Sequence, residues 1–170
     1  MEKYNKLLLS IGGNLENSQQ KFDQLWELIE KNIGEVTKLS PYYRSDAWGF
    51  VSENTFVNAA ALVLTTLRPM ETLLCTQAIE TTLGRTSKSH NGIYSDRTMD
   101  IDIIAYNNLV LETNPILVIP HPQMHLRRFV LQPLCDICPN WVHPKLKQSV
   151  RTLLENCPDD SVLQETTLTV

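Results

Sequence analysis

Two aspartates two residues apart, Asp100 and Asp102, are the residues of this sequence best suited to chemistry. They lie in a run rich in β-branched and apolar residues, 97–106, which predicts a β-strand. Because side chains alternate between the two faces of a strand, both carboxylates share one face, roughly 7 Å apart at Cα. Mg²⁺ is typically held by one or two carboxylates plus substrate phosphates, and Arg97 adds a positive charge suited to phosphate. A solvated edge strand whose aspartates only discourage aggregation would show the same pattern.

The alternation also predicts how this strand packs. Its core face would comprise Met99, Ile101, Ile103 and Ala105. The face with the aspartates would continue with Ile104 and Tyr106. The carboxylates would then lie on the face opposite the core.

Two other apolar runs predict buried strands that would accompany this one. Residues 7–11 form the first, and Gly12-Gly13-Asn14 after it predicts a turn into a helix. That turn is either a plain connector or a place where a ligand approaches the backbone closely. Residues 56–66 form the second run, and the polar Asn58 inside it must find a hydrogen-bond partner. The partner is either a backbone group or the polar edge of a ligand ring.

A helix is predicted from Pro69, which suits the first helical position, to about Gly84. Its apolar side would comprise Met70, Leu73, Leu74, Ala78 and Ile79. Gln77 and Glu80 near its end either face a site or are simply exposed.

A polar, glycine-punctuated segment, 84–97, follows this helix and carries local positive charge. It holds Arg85, Lys88 and Arg97 against the single acid Asp96, which is the charge that an anionic ligand needs. Its length is typical of a mobile functional loop, although a surface loop without a function would have the same length and polarity. The net charge of the whole chain is −4, which argues against a general nucleic-acid binder.

Composition favours one folded domain over residues 1–170, with 157–170 as a peripheral tail. The chain is 42% hydrophobic and 20% charged, which excludes the disordered class. No apolar run approaches 18 residues, so we expect no membrane helix and no membrane partner. The apolar run near the N-terminus is too short for a signal peptide, so we expect a cytoplasmic protein.

The cysteines do not predict a metal site. Cys135 and Cys138 form a C-x-x-C without a second pair, and their segment is typical of a short apolar helix with small buried thiols. The nearby histidines match no zinc spacing: His121, His125 and His143. We therefore expect neither zinc nor a disulfide.

A series of motifs in order over about residues 7–145 resembles the 6-hydroxymethyl-7,8-dihydropterin pyrophosphokinase family. The motifs are Ile11-Gly12-Gly13-Asn14-Leu15, Tyr43-Arg44-Ser45, Phe56-Val57-Asn58-Ala59-Ala60, Gln77-Ala78-Ile79-Glu80 with Gly84-Arg85, Arg97-Thr98-Met99-Asp100-Ile101-Asp102-Ile103, Ile119-Pro120-His121 and Arg127-Arg128-Phe129-Val130-Leu131-Gln132-Pro133-Leu134. The R-T-x-D-x-D motif at the centre is the most specific of them. The resemblance implies transfer of pyrophosphate from ATP to a reduced hydroxymethylpterin, in folate biosynthesis. It also implies an α+β fold, a ferredoxin-like α/β sandwich with a central antiparallel sheet, flanking helices and three flexible catalytic loops.

The resemblance also implies a role for each matching residue. Asp100 and Asp102 resemble the ligands of two Mg²⁺ ions, and Arg85 and Arg97 resemble catalytic loop arginines. The residues implied to bind the pterin are Ser45, Asp46, Trp48, Phe56, Asn58 and Phe129. Those implied to bind or support ATP are Gln77, Glu80, Arg85, Lys88, Ile103, His121 and Arg127. ATP and the pterin would be the only partners implied, with no nucleic acid.

This sequence also departs from the family pattern. The departures are Gly13 for a usual Ser, Asp46-Ala47 for a Pro-Pro pair, Phe56 for a frequent Tyr, Ser87 for an Arg, Tyr94 for a Trp and Arg128 for a Gly. They affect the ATP contacts of the 84–96 loop and leave the metal pair and the pterin pocket as a whole intact. A Mg²⁺-dependent nucleotide hydrolase and a small-molecule-binding regulatory domain remain as alternatives.

Overall fold

The computed structural model describes residues 3–14, 19–45, 56–84, 99–113 and 116–168. In these ranges the elements are β1 (Asn5–Asn14), α1 (Gln19–Asn32), β2 (Gly34–Leu39), β3 (Tyr42–Ser45), β4 (Phe56–Thr65), α2 (Pro69–Thr82), β5 (Met99–Tyr106), β6 (Leu111–Thr113), β7 (Leu117–Ile119), a 3₁₀ turn (Met124–Leu126), α3 (Arg128–Ile137), α4 (Val150–Glu155) and β8 (Gln164–Thr166). None of the helices in these ranges has the length and apolar character that crossing a membrane requires.

A central sheet organises the described part of the chain. It has six strands in the order β5-β1-β4-β3-β8, with β2 also paired to β4. Every pair in it is antiparallel, and β6 and β7 form a separate antiparallel pair. The predicted α+β sandwich with a central antiparallel sheet is confirmed.

Two hydrophobic layers cover the sheet, one on each face. On the first face α1 and α2 pack against the strands, where Phe22 of α1 and Leu9 of β1 are fully buried. On the second face α3 and α4 pack, where Leu131 of α3 meets the cluster that includes Leu8. We call these the α1/α2 face and the α3 face. Burial of apolar side chains on both faces is the main favourable term that holds the sandwich together.

A β-bulge in β5 changes the packing predicted for the end of that strand. Its register with β1 shifts between Leu8 and Leu9, so the alternation of faces resets there. Ala105 consequently packs in the α3 layer and Tyr106 in the α1/α2 layer, and the predicted faces of both residues are wrong. The two aspartates precede the bulge and keep their common face.

The predicted Gly12-Gly13-Asn14 turn is also wrong, because β1 continues through Asn14. Gly12 pairs with Asn58 of β4 on one side and with Asp100 of β5 on the other. Both neighbouring strands therefore offer hydrogen-bonding partners at this point, and this tertiary pairing overrides the local preference of glycine for turns.

Helix α2 begins at Pro69 as predicted but buries only part of the predicted apolar side. Met70 and Leu74 are 40% and 63% exposed, whereas Thr72 and Thr76 are buried. The Thr72 hydroxyl donates to the carbonyl of Arg68, the N-cap residue, and the Thr76 hydroxyl donates to the carbonyl of Leu73 within the helix. Because their hydroxyls are satisfied, these threonines can be buried at little cost. The predicted apolar side is therefore confirmed at Leu73 and Ile79, which pack in the core, and wrong at Met70, Leu74 and Ala78, which are exposed.

Candidate active site

The sheet register brings the predicted site residues together. Asp100 of β5 pairs with Gly12 of β1, and Gly12 pairs with Asn58 of β4. In an antiparallel sheet, directly paired residues point to the same face, so these three positions form one row on the α3 face. Asp102 lies in the next row, opposite Ser10. Asp100 and Asn58 are two strands apart, about 10 Å across the sheet.

Asn58 is buried and oriented by a side chain of β3. It is 4% exposed, and its Nδ2 donates to Ser45 Oγ at 2.5 Å. A Cβ on Gly12 would lie 3.3 Å from Asn58 Oδ1. The amide nitrogen is thus held by Ser45, while the missing side chain of Gly12 leaves space beside the amide oxygen. This arrangement can accept a hydrogen bond from an N–H edge of a planar ligand.

Two aromatic residues accompany this amide. Phe56 precedes Asn58 by two residues on β4 and therefore lies on the same face of the sheet. Phe129 lies in the first turn of α3, packed against the hydrophobic layer of that face. The guanidinium carbon of Arg127 is 5.7 Å from the centre of the Phe129 ring. Aromatic faces of this kind stack on planar rings.

The aspartate pair fits magnesium better than zinc. Both carboxylates are partly exposed on the α3 face, next to the small residues Ser10 and Gly12 of β1. No cluster of three or more His, Cys, Asp or Glu that could hold a metal occurs within the described ranges. A metal held here would complete its coordination with water and ligand oxygens, as Mg²⁺ normally does. The four cysteines are free thiols.

His121 lies beside the outer edge of β5 in a defined protonation state. The backbone N–H of His121 donates to the backbone carbonyl of Ile104. The ring Nδ1 of His121 accepts a hydrogen bond from the backbone N–H of Gln123 at 3.1 Å. Burial, together with the charge of Arg127, lowers the pKa of His121 from 6.5 to about 4. The ring is therefore neutral near pH 7, and its proton is on Nε2, where it can donate to an anionic oxygen.

Two of the residues predicted to bind ATP, Glu80 and His121, hydrogen-bond to the backbone of β5. Glu80 of α2 is buried and accepts the N–H of Ile101 at 3.1 Å. Backbone groups two residues apart on a strand point the same way, so those of Ile103 also face the outer edge of β5. The side chain of Ile103 is buried in the α1/α2 layer, which leaves its backbone for any contact with a ligand. Gln77 is exposed on α2.

Several predicted residues lie outside the described ranges: Asp46, Trp48, Arg85, Lys88 and Arg97. Sequence reasoning also missed three features that the structure shows. The space that Gly12 leaves beside Asn58, and the role of Ser45 as the partner of that amide, depend on pairing between strands. The hydrogen bond from Gln123 to His121 is local, between residues two apart in the chain. The only signal for the first was a pair of glycines next to a strand.

Comparisons with known proteins find relatives over most of the chain. The model of a family described as 7,8-dihydro-6-hydroxymethylpterin-pyrophosphokinase (HPPK) matches residues 8–139. A 2-amino-4-hydroxy-6-hydroxymethyldihydropteridine pyrophosphokinase of Porphyromonas gingivalis is 41% identical over 137 residues, 81% of this chain and 92% of the relative. The Bacillus subtilis protein of the same name is 37% identical over 131 residues, 76% of each chain.

Solved structures show the same fold. A crystal structure of wild-type Plasmodium falciparum HPPK-DHPS with pterin and p-hydroxybenzoate superposes with a TM-score of 0.71 at 19% identity. The match covers 92% of this chain and 43% of that longer chain, so this chain spans less than half of it.

Proposed function

The chain belongs to the 7,8-dihydro-6-hydroxymethylpterin-pyrophosphokinase family, and on this premise we propose that a reduced pterin and ATP bind in adjoining sites on the α3 face and the outer edge of β5. The chain is an ATP-dependent diphosphokinase of folate biosynthesis, with ATP as its co-substrate. The reaction transfers pyrophosphate to the hydroxymethyl group of 6-hydroxymethyl-7,8-dihydropterin and releases AMP.

One observation supports this arrangement above all others, namely the row formed by Asp100, Gly12 and Asn58 across three paired strands. In this row a carboxylate and a buried side-chain amide share one face of the sheet, with only a glycine between them. The separation of about 10 Å suits a substrate whose ring lies at Asn58 and whose reacting oxygen points towards Asp100.

In this proposal the pterin lies over Asn58. Its ring would stack between Phe56 and Phe129, and the amide oxygen of Asn58 would accept an N–H from the polar edge of the ring. Ser45 holds the other end of the amide, so the acceptor is already oriented before the ligand binds. An oriented acceptor lowers the ordering cost of binding.

Asp100 and Asp102 would hold two Mg²⁺ ions together with phosphate oxygens of ATP. When bound, such ions neutralise the charge that develops on the phosphoryl oxygens during transfer. Carboxylate oxygens on one strand face match the ligand preference of Mg²⁺.

The nucleotide would bind along the outer edge of β5. The backbone of Ile103 can hydrogen-bond a base there, while Glu80 fixes the neighbouring amide of Ile101. His121 would donate from Nε2 to a phosphate oxygen, and Arg127 would contribute its fixed charge nearby. Correct positioning and electrostatic stabilisation supply most of the catalysis in phosphoryl transfer.

The decisive experiment measures AMP formed from ATP and Mg²⁺ with and without 6-hydroxymethyl-7,8-dihydropterin. We expect AMP only when the pterin is present. AMP or ADP formed without the pterin would indicate a nucleotide hydrolase, and ligand binding without turnover would indicate a regulatory domain.

The pterin assignment has its own test in Asn58→Ala. An unpaired polar group in a closed site costs about 1–3 kcal/mol, so we expect roughly 10- to 100-fold weaker pterin binding by calorimetry. The affinity for a non-hydrolysable ATP analogue should not change. Equal losses for both ligands would show that Asn58 has only a structural role.

A further inference from the structure

The first turn of α3, which carries Phe129, is weakly held by the helix itself. Its N-cap residue, Arg127, makes no side-chain capping hydrogen bond, and the turn contains no acidic residue. Pro133 lies inside the helix and has no N–H to donate to the carbonyl of Phe129, four residues earlier. Helix starts without a local cap need another acceptor for their free N–H groups.

Asp159, in the C-terminal segment, supplies that acceptor from 31 residues away. Its Oδ2 accepts the N–H of Arg128 at 3.0 Å, and its backbone carbonyl accepts Nε–H of the same arginine at 2.9 Å. Ser161 N–H donates to Oδ1 at 3.0 Å. A carboxylate at this position also interacts favourably with the positive end of the helix dipole.

The charged form of Asp159 is favoured by these contacts. Burial alone would raise the pKa of its carboxyl, but the hydrogen bonds from Ser161 and Arg128 and the charge of Arg128 outweigh burial and lower it. The residue is therefore a carboxylate at neutral pH, and the link to α3 is charge-assisted.

The same segment also contacts the other wall of the pterin site. After Asp159 the chain enters β8, in which Gln164 pairs with Arg44 of β3. The next residue of β3 is Ser45, the partner of Asn58. Residues 159–166 therefore connect the strand that orients Asn58 with the helix turn that carries Phe129.

We propose that Asp159 is a positioning residue for the pterin site, acting through Arg128 on the ring of Phe129. The inference rests on the proposed function, and it concerns a residue beyond the 8–139 region that the family model matches. By fixing the first turn of α3, Asp159 holds the aromatic wall in place before the pterin arrives. Arg128 gives this turn both a backbone and a side-chain donor, and the C-terminal segment engages both.

The test is Asp159→Ala, with Asp160→Ala as the matched control because Asp160 is the adjacent and exposed acid. Affinity for 6-hydroxymethylpterin is measured by calorimetry in the presence of Mg²⁺ and a non-hydrolysable ATP analogue. We expect about three- to tenfold weaker pterin binding for Asp159→Ala and no change for Asp160→Ala. In turnover assays KM for the reduced pterin should rise by the same factor while kcat is retained.

A purely structural cap would give a different result. If Asp159→Ala lowered the melting temperature but left the pterin affinity unchanged, or if Asp160→Ala had the same effect on affinity, the inference would be wrong. Arg128→Met provides a second route if Asp159→Ala does not fold. It removes the Nε hydrogen bond and keeps the backbone one, so it should weaken pterin binding in the same direction by a smaller factor, and an unchanged affinity would overturn the inference.

Different results would refute the proposed function and the positioning role of Asp159. A wild-type protein that forms no AMP with ATP and the reduced pterin would refute the proposed function. An active wild-type protein together with a folded Asp159→Ala variant of unchanged pterin KM would refute only the positioning role.

Discussion

Replacing His121 with Asn should make the stability of the protein less dependent on pH in the mildly acidic range. In the folded protein burial and the neighbouring charge of Arg127 hold the pKa of His121 at about 4, against 6.5 for an ordinary histidine. Asparagine does not titrate, and its Oδ1 can take the place of Nδ1 as the acceptor for Gln123 N–H. The substitution therefore removes the titration with little change in the local hydrogen bonding.

The sign and size of the effect follow from proton linkage. Below pH 6.5 the unfolded chain binds a proton on His121, whereas the folded protein binds it only near pH 4. Stability is therefore fully present above pH 6.5 and is lost as the pH falls towards 4. At about 1.4 kcal/mol per pH unit the full loss is about 3 kcal/mol, a large part of the roughly 5–15 kcal/mol typical of a domain.

Denaturant unfolding of the wild type and of His121→Asn between pH 7.5 and 4.5 measures this loss. Other groups, such as His143, titrate in both proteins and cancel in the difference between them. We expect the free energy of unfolding of the wild type to fall more steeply below pH 6.5 than that of the variant. Parallel curves over the whole range would refute the neutral state of the half-buried His121 and, with it, the Nε2 proton that we assign to phosphate binding.

Three further predictions concern the sheet. Asp100→Ala should abolish Mg²⁺-dependent AMP formation while circular dichroism shows an intact fold, and near-native activity would contradict the metal assignment. Ser45→Ala removes the acceptor that orients Asn58, so calorimetry should show about 5- to 15-fold weaker pterin binding, the cost of roughly one hydrogen bond; an unchanged affinity would mean that the amide needs no such support. Gly12→Ala and Gly34→Ala should affect different properties of the protein. The new methyl group at position 12 would lie 3.3 Å from the side-chain oxygen of Asn58, so Gly12→Ala should mainly reduce pterin affinity. The methyl group at position 34 would lie 2.0 Å from the backbone carbonyl oxygen of Leu64, so Gly34→Ala should lower the melting temperature sharply. If both variants changed pterin affinity and melting temperature in the same way, the role of Gly12 in the site would be contradicted.

Much of the site was predictable because its signals are local. Asp100 and Asp102 share a face since they are two residues apart on one strand, a consequence of backbone geometry alone. Pro69 begins α2 because its ring suits the first helical position. The order of the motifs identified the family, and the family model matches residues 8–139.

Features that join distant segments were not predictable. The bulge that sends Ala105 and Tyr106 to unexpected faces exists only in the pairing of β5 with β1, and the strand at Gly12 exists because β4 and β5 flank it. The segment 157–170, predicted only as a peripheral tail, contributes β8 and Asp159.

The sequence by itself therefore determined which residues could bind a metal and which strand carries them, since strand periodicity operates within a few residues. Only the tertiary structure decided that Asn58 lies in the same row as Asp100, that His121 is neutral, and that Asp159 reaches the start of α3. Strand register, burial and the charges around a group depend on residues far apart in the chain. They are therefore determined only when folding brings those residues into contact.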